Sequence, residues 1–211
     1  MSKGSPHVRY AEIERETTET KVSVVLDLDG GQRRDVHTGI GFLDHMLQLM
    51  AFHGQFNLGV TADGDLEVDD HHTVEDVGIT LGQAFRMALA EVSSIQRYGD
   101  LLSPMDDALV LVALGISGRG MAFVDLPFRR ENLGGLATEN VAEFLKAFAT
   151  NASMTIHVRR LAGENDHHLC EAVFKGLGRA LHAATRPSER PGVASTKGKL
   201  LQSCLFFRRL T

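Results

Sequence analysis

Two short stretches of the chain place histidines and acids at a spacing that could bind metal ions. They are residues 70–75, DHHTVE, and residues 166–171, DHHLCE. On a helix, consecutive residues point about 100° apart, whereas residues three or four apart share a face. Either histidine of a pair can therefore lie beside the glutamate, and each pair is predicted to divide between two ions. The candidate ligands in these stretches are His71, His72, Glu75, His167, His168 and Glu171.

The two stretches belong to a longer internal repeat. Residues 70–88 match residues 166–184 at an offset of 96, and upstream the offset becomes 98, which requires a two-residue difference in a loop. Such a match indicates a duplication. At the second offset His45 corresponds to Glu143, so each copy supplies one further candidate ligand from an earlier helix.

The eight candidate ligands are predicted to form two sites. Imidazole and carboxylate without thiolate favour Mn, Fe, Co, Ni or Zn over Ca or Mg, and the residue types do not choose among the five. A lone helical histidine is usually a surface or core residue, but two such pairs at equivalent points of a repeat favour ligation. One site would contain His45, His72, Glu75 and His168, and the other His71, Glu143, His167 and Glu171.

The elements that must position these side chains form an α+β fold. Its predicted plan is two duplicated ββαβα halves that build two mixed four-stranded sheets, with helices packed on one face of each. Alternating apolar residues predict the strands, at 21–29, 33–38, 56–60, 108–116, 121–126 and 154–160. Helical spacing predicts helices at 42–51, 71–91, 141–149 and 167–184. The domain interpretation is an arm at 1–8, repeats at 9–93 and 106–185, a connector at 94–105 and a tail at 186–211.

Composition narrows the class of protein. The chain has 211 residues and a net charge of −5, and its aromatic fraction of 6% includes no tryptophan, so nucleic-acid binding is not expected. No apolar run is long enough to span a bilayer, and no membrane partner is expected. Two cysteines cannot form a disulfide framework, which favours a reducing, cytoplasmic location.

At these motifs the sequence resembles the imidazoleglycerol-phosphate dehydratases, lyases of histidine biosynthesis. The resemblance implies two Mn(II) ions per active site, with ligands drawn from motifs of different subunits. It also implies a left-handed βαβ connection and a homo-oligomeric 24-subunit shell of cubic symmetry. The matching stretches are RETTET (15–20), GIGFLDHML (39–47), DHHTVED (70–76), IQRYG (95–99), SGR (117–119), GENDHHLCE (163–171) and STKG (195–198).

The implied reaction removes water from imidazole glycerol phosphate to give imidazole acetol phosphate. A divalent ion on the imidazole nitrogen favours the imidazolate, which can expel the hydroxyl group through a diazafulvene-like intermediate. By resemblance Glu19 is the proton-transfer carboxylate, and Glu171 or Glu75 could shuttle protons if not tightly ligated. Gln48, one turn after His45, could touch substrate. The positions that match the family's phosphate contacts are Arg97, Arg119, Ser195 and Lys197.

Two other classes of function stay open from the residues alone. One is a dinuclear metallohydrolase acting on a small phosphate ester, since two bridged ions suit water activation. The other is a non-enzymatic protein whose metal ions join subunits. The phosphate-pairing set at Arg97, Arg119 and Lys197 favours an enzyme of phosphorylated substrates. The sequence shows no N-terminal phosphatase stretch, so a bifunctional enzyme is not expected, and residues 200–211 extend past the family pattern.

Overall fold

The computed structural model describes residues 9–31, 33–90, 92 and 94–188. The first half contains strands β1 (Tyr10–Glu16), β2 (Thr20–Asp27), β3 (Arg34–His37) and β4 (Asn57–Gly64), with helices α1 (Gly41–Gly54) and α2 (His71–Ala88). The second half contains strands β5 (Tyr98–Met105), β6 (Ala108–Ile116), β7 (Met121–Asp125), β8 (Asn132–Leu133), β9 (Leu136–Ala137) and β10 (Met154–Ala162), with helices α3 (Thr138–Ala152) and α4 (Asp166–Thr185).

Each half builds one mixed four-stranded sheet. The strand orders are β1-β2-β4-β3 and β5-β6-β10-β7, and in each sheet only the last pair is parallel. The registers agree as well: Arg15 pairs with Val22, and Ser103 pairs with Val110, both 88 residues further on (103 − 15 and 110 − 22). The predicted α+β class with two duplicated halves and two mixed four-stranded sheets is confirmed.

The four helices lie between the two sheets. Helix α2 packs on β1 and β2 and also on α3, whereas α4 packs on β5 and β6 and also on α1. Two glycines at equivalent positions allow this close approach. A Cβ atom on Gly82 would lie 2.6 Å from the Phe148 carbonyl oxygen, and one on Gly178 would lie 2.2 Å from that of Met50. The core is therefore shared by both halves, and it includes the buried side chains of Phe56, Phe85, Phe144, Phe148 and Phe174.

The structure corrects the strand count of each predicted half. Strands β1 and β5 were not predicted, so each half is βββαβα, and the second repeat begins with β5 inside the predicted connector at 94–105. Both are edge strands. Such strands are half exposed and tolerate polar residues and proline, here Pro104, so their hydrophobic alternation is weak.

Two element boundaries also differ from the prediction. Strand β4 extends to Gly64 rather than ending at residue 60, and α2 ends at Ala88 rather than at residue 91. The segment from residue 126 to residue 137, which contains the short β8–β9 hairpin, has no counterpart in the first half, where three residues join β3 to α1. Helix α4 ends at Thr185, one residue beyond its predicted end. In the described part of the chain, no helix has the length and apolar character to cross a membrane.

Candidate active site

The N-terminal ends of the helices lie together in pairs. His71 at the start of α2 contacts Asn140 near the start of α3, with 2.9 Å between Nδ1 and the amide oxygen. His167 at the start of α4 meets the Phe42 ring near the start of α1, with 5.2 Å between ring centroids. The two pairs are equivalent, because Asn140 lies 98 residues after Phe42 and His167 lies 96 residues after His71.

The aspartates that open the two motifs anchor the segment from residue 126 to residue 137. Asp166 accepts hydrogen bonds from the backbone N–H groups of Arg129 (2.9 Å) and Arg130 (2.7 Å). Asp70 accepts one from the N–H of Ala137 at 2.7 Å, instead of capping its own helix. The N–H of His71 donates to Asp69 instead. These aspartates therefore link the starts of α2 and α4 through one segment.

The second histidine of each motif is held by a carboxylate. His72 Nδ1 lies 3.0 Å from an oxygen of Asp65, and His168 Nδ1 lies 2.8 Å from Asp107. The hydrogen bond to Asp65 raises the pKa of His72 above its ordinary value, and the nearby charge of Glu19 adds to it. Since carboxylates only accept, Nδ1 carries the hydrogen in both rings and the lone pair lies on Nε2.

Glu171 is the meeting point of three side chains. Its Oε1 atom lies 3.3 Å from His45 Nε2 and 3.0 Å from His167 Nε2, and Lys175 Nζ donates to Oε2 at 2.5 Å. Burial raises the pKa of Glu171, but the hydrogen bonds from Lys175, His45 and His167 outweigh it and lower the pKa to about 2. Lys175 was missed from the sequence. Its position one helical turn after Glu171, at i+4, is the signal that could have found it.

The other two predicted carboxylate ligands do not meet the other candidate ligands: Glu75 is exposed and Glu143 is half buried. Glu143 pairs with Lys146 at 2.7 Å, and Glu75 makes no hydrogen bond or ion pair with the described residues. Within those residues, no three His, Cys, Asp or Glu side chains are arranged to hold a metal ion.

The contacts within one chain differ from the predicted division of ligands. That division placed His45 in one site and both His167 and Glu171 in the other. Here His45 lies against Glu171, which also contacts His167, because α1 packs on α4.

Glu19, the predicted proton-transfer residue, lies beside His72. Its carboxylate is 3.8 Å from His72 Nδ1 and stays half exposed. The loop that carries it is tied to α2 by the buried Asp76. Asp76 accepts from Arg15 at 2.9 Å and also from the Thr20 hydroxyl. The stretch that resembles the family thus has a structural role as well as the predicted chemical one.

The two described arginines predicted to bind phosphate lie at the far end of the second sheet. Arg97 donates from Nε to the carbonyl of Ile116, the last residue of β6, and stacks over Tyr98. Arg119 lies in the turn after β6 and lines a cavity of about 460 Å³. His168 and Asp107 lie beside the first residue of β6. Nine extended residues separate the two ends by roughly 25 Å.

The remaining predicted substrate contacts are less defined. Gln48 is half buried on α1, one turn after His45. Ser195 and Lys197 lie outside the described residues.

Comparison with known proteins decides the family. Residues 38–181 match the family model described as imidazoleglycerol-phosphate dehydratase. The chain belongs to the imidazoleglycerol-phosphate dehydratase family. It is 55% identical to the enzyme of that name from Thermoanaerobacter pseudethanolicus, over 92% of this chain and 100% of the relative. It is 53% identical to the enzyme of that name from Acetivibrio thermocellus, over 91% of this chain and 99% of the relative.

Solved structures agree with this family assignment. The enzyme from Pyrococcus furiosus is 44% identical, covers 88% of this chain and 99% of its own, and has a TM-score of 0.77. The enzyme from Staphylococcus aureus is 34% identical, covers 85% and 99%, and has a TM-score of 0.77. The predicted family and enzyme class, a carbon–oxygen hydro-lyase of histidine biosynthesis, are confirmed. The predicted site residues, metal ions, partners and cytoplasmic location stay predictions.

Proposed function

We propose that this family member dehydrates imidazole glycerol phosphate with two divalent ions, manganese in the first instance. The observation that supports this proposal is the hydrogen bonding of the histidine side chains. His71, His72 and His168 each have Nδ1 engaged by a neighbouring oxygen, which leaves Nε2 for a metal ion. Metal-binding histidines usually have their second nitrogen held in this way. The proposed ligands are His45, His71, His72, Glu75, Glu143, His167, His168 and Glu171.

The protein's own residues supply proton transfer and substrate orientation. When bound, the ions would favour the imidazolate form of the substrate ring, which can expel the hydroxyl group in a diazafulvene-type elimination. The hydroxyl group leaves from the carbon attached to the ring, so the proton lost is on the next carbon of the side chain. Glu19 stands beside His72, half exposed, and its carboxylate makes no hydrogen bond with the described residues, so it can accept that proton. Glu171 is engaged by three side chains and is better suited to ligation than to proton transfer.

The active site would be shared between subunits of a homo-oligomer. The imidazole and phosphate of the substrate are only a few bonds of about 1.5 Å apart. Within one chain, however, His168 and Arg119 lie at opposite ends of β6, roughly 25 Å apart. One substrate can reach both kinds of residue only if they come from different chains. The family's 24-subunit shell is the assembly we propose.

The outer face of the second sheet supports assembly. Large apolar side chains stand exposed there: Tyr98 61%, Leu102 53%, Met121 42%, Phe123 52% and Leu161 50%. A contiguous exposed apolar face of this kind is typical of a surface that another protein covers. Light scattering of the purified protein together with elemental analysis tests both parts of the proposal. A monomeric mass with substrate turnover would contradict the shared site, and turnover in fully metal-stripped protein would contradict the ions.

A product assay separates this function from phosphate-ester hydrolysis. Protein, imidazole glycerol phosphate and Mn(II) should yield the enol or keto product, detected by its absorbance in alkali. Release of inorganic phosphate without that absorbance would favour the dinuclear metallohydrolase. Arg119→Ala should raise KM and leave bound metal unchanged, because Arg119 is proposed to contact phosphate and not the ions. Arg86→Ala, an exposed arginine on α2, is the control, and a parental KM in Arg119→Ala would contradict the phosphate role.

A further inference from the structure

Asp107 is a carboxylate in the β5–β6 turn that the proposed chemistry does not use. One oxygen accepts from His168 Nδ1 at 2.8 Å, and the other accepts from the backbone N–H groups of Glu164 (2.7 Å) and Asn165 (3.1 Å). This side chain is therefore fixed as an acceptor at both oxygens.

The repeat makes Asp107 the counterpart of Glu19. The hairpins β1–β2 and β5–β6 are paired in the same register at an offset of 88, and 107 − 88 = 19. The segment after the neighbouring strand contacts both turns: the N–H of Asp65 donates to the backbone carbonyl of Glu19, whereas the N–H of Glu164 donates to the side-chain carboxylate of Asp107. The same turn position thus carries a loosely held carboxylate in one half and a fixed one in the other.

The residue that replaces Asp65 explains this difference. The strand register makes Glu164 the counterpart of Asp65, because Lys21 pairs with Asp63 and its counterpart Leu109 pairs with Ala162 across a β-bulge, an offset of 99. The carboxylate of Glu164 pairs with Arg129 at 3.2 Å. It does not contact His168. Asp107 makes that contact instead, from a different element of the fold.

The opposite nitrogen of His168 is less firmly held. Nε2 lies 3.4 Å from an oxygen of Asp106, which is longer than the 2.8 Å contact of Nδ1. A carboxylate can only accept, so the short contact keeps the hydrogen on Nδ1. Nε2 then carries the lone pair that a metal ion needs.

We propose that Asp107 is a positioning residue that holds the ring of His168 with Nε2 available to a metal ion, as Asp65 does for His72. This inference rests on the proposed function, because it assumes that His168 is a ligand. The two turn carboxylates then have different roles. Asp107 orients His168. Glu19 lies beside His72, which Asp65 already orients, so Glu19 remains available for proton transfer.

Metal affinity tests this role without reliance on catalysis. Mn(II) is titrated calorimetrically into metal-stripped parent, Asp107→Asn and Asp125→Asn proteins. Asp107→Asn should bind about 10–100-fold more weakly, the usual effect of losing the group that orients a histidine ligand. Asp125→Asn, an exposed aspartate on β7, is the control and should stay close to the parent. Parental affinity in Asp107→Asn, or an equal loss in Asp125→Asn, would overturn the proposal. A parent that binds no Mn(II) would instead refute the metal part of the proposed function.

A double-mutant cycle excludes a purely structural effect on the loop at residues 163–165. In a His168→Ala background, Asp107→Asn should cause no further loss of Mn(II) affinity, because its partner is gone. An equal loss in both backgrounds would show that Asp107 acts elsewhere and would overturn the inference. If Asp107→Asn does not fold, solid-state NMR of parent and His168→Ala proteins with labelled imidazole nitrogens replaces it. The imidazole signals that are present in the parent and absent in His168→Ala belong to His168. Their nitrogen shifts should show hydrogen on Nδ1, and hydrogen on Nε2 would overturn the inference.

Discussion

The two halves differ most at equivalent positions around His72 and His168. In the first half, a polar cluster of half-buried Arg15 with buried Thr20 and Asp76 ties the Glu19 loop to α2. At the offsets of the repeat, their counterparts are Ser103, Ala108 and Ala172, which are small and buried. In the second half, the carboxylate of the turn is itself hydrogen-bonded on both oxygens.

The difference shows two ways of holding a carboxylate near a histidine that is proposed to bind metal. In the first half the loop is anchored and its side chain, Glu19, stays unengaged. In the second half the side chain is the anchor. A group that transfers protons must change its partners, whereas a group that orients a ligand must not. The first half therefore has the arrangement suited to proton transfer.

A second contrast concerns the glutamates of the two motifs. Glu171 is engaged by His45, His167 and Lys175, whereas Glu75 is exposed. The counterpart of Lys175 at an offset of 96 is Ile79, so the first half has no lysine to hold its glutamate. The second-half glutamate is thus positioned by contacts within its own chain.

Removing the Glu19 carboxylate is the change with the largest expected effect. Glu19→Gln should lower kcat by about 10²–10⁴-fold, the usual contribution of a positioned acid or base. Mn(II) affinity should stay at the parental value, since Glu19 is not a proposed ligand. Steady-state kinetics with calorimetry measures both, and Glu14→Gln on the exposed face of β1 is the matched control. A kcat within twofold of the parent would contradict the proposal that Glu19 transfers the proton.

The buried cluster at Asp76 has the next largest expected effect, on stability. Asp76→Ala should lower the free energy of unfolding by about 3 kcal/mol, because Arg15 and Thr20 lose their buried partner. Urea unfolding of metal-free protein measures it. The double variant Arg15→Met/Asp76→Leu should be less destabilised than Asp76→Ala, since it leaves no unpaired charge. If the double variant is less stable than Asp76→Ala, the loss in Asp76→Ala does not come from the unpaired charge of Arg15.

The fold class and the candidate ligands could be predicted from the internal repeat. The histidine pairs, the offsets and the alternating strands β2, β6 and β10 are all local patterns, and they gave the fold class and the candidate ligands. Edge strands β1 and β5 were missed because a half-exposed strand needs few apolar residues. The contacts of Asp107 with His168 and of Asp70 with Ala137 join residues 61 and 67 apart. No local pattern predicts such pairs, because tertiary packing creates them.

The smallest expected effect tests whether the halves share one backbone geometry. Gln55 after α1 and Ser153 after α3 are equivalent residues, and both have φ 55 and ψ 39. This left-handed conformation costs a residue with a Cβ atom about 1–2 kcal/mol, and glycine adopts it freely. After the greater entropy of glycine in the unfolded chain is subtracted, Gln55→Gly and Ser153→Gly should each stabilise the fold by about 0.5–1 kcal/mol.

The sign of these two changes matters more than their size. Gln83→Gly inside α2 is the control for the same kind of substitution, and it should destabilise by about 0.5–1 kcal/mol because helical glycine is unfavourable. Urea unfolding of the metal-free variants gives all three values. If Gln55→Gly stabilises and Ser153→Gly destabilises, the two helix ends do not share one conformation. The differences between the halves would then extend to the scaffold, and could no longer be confined to the side chains around the two histidines.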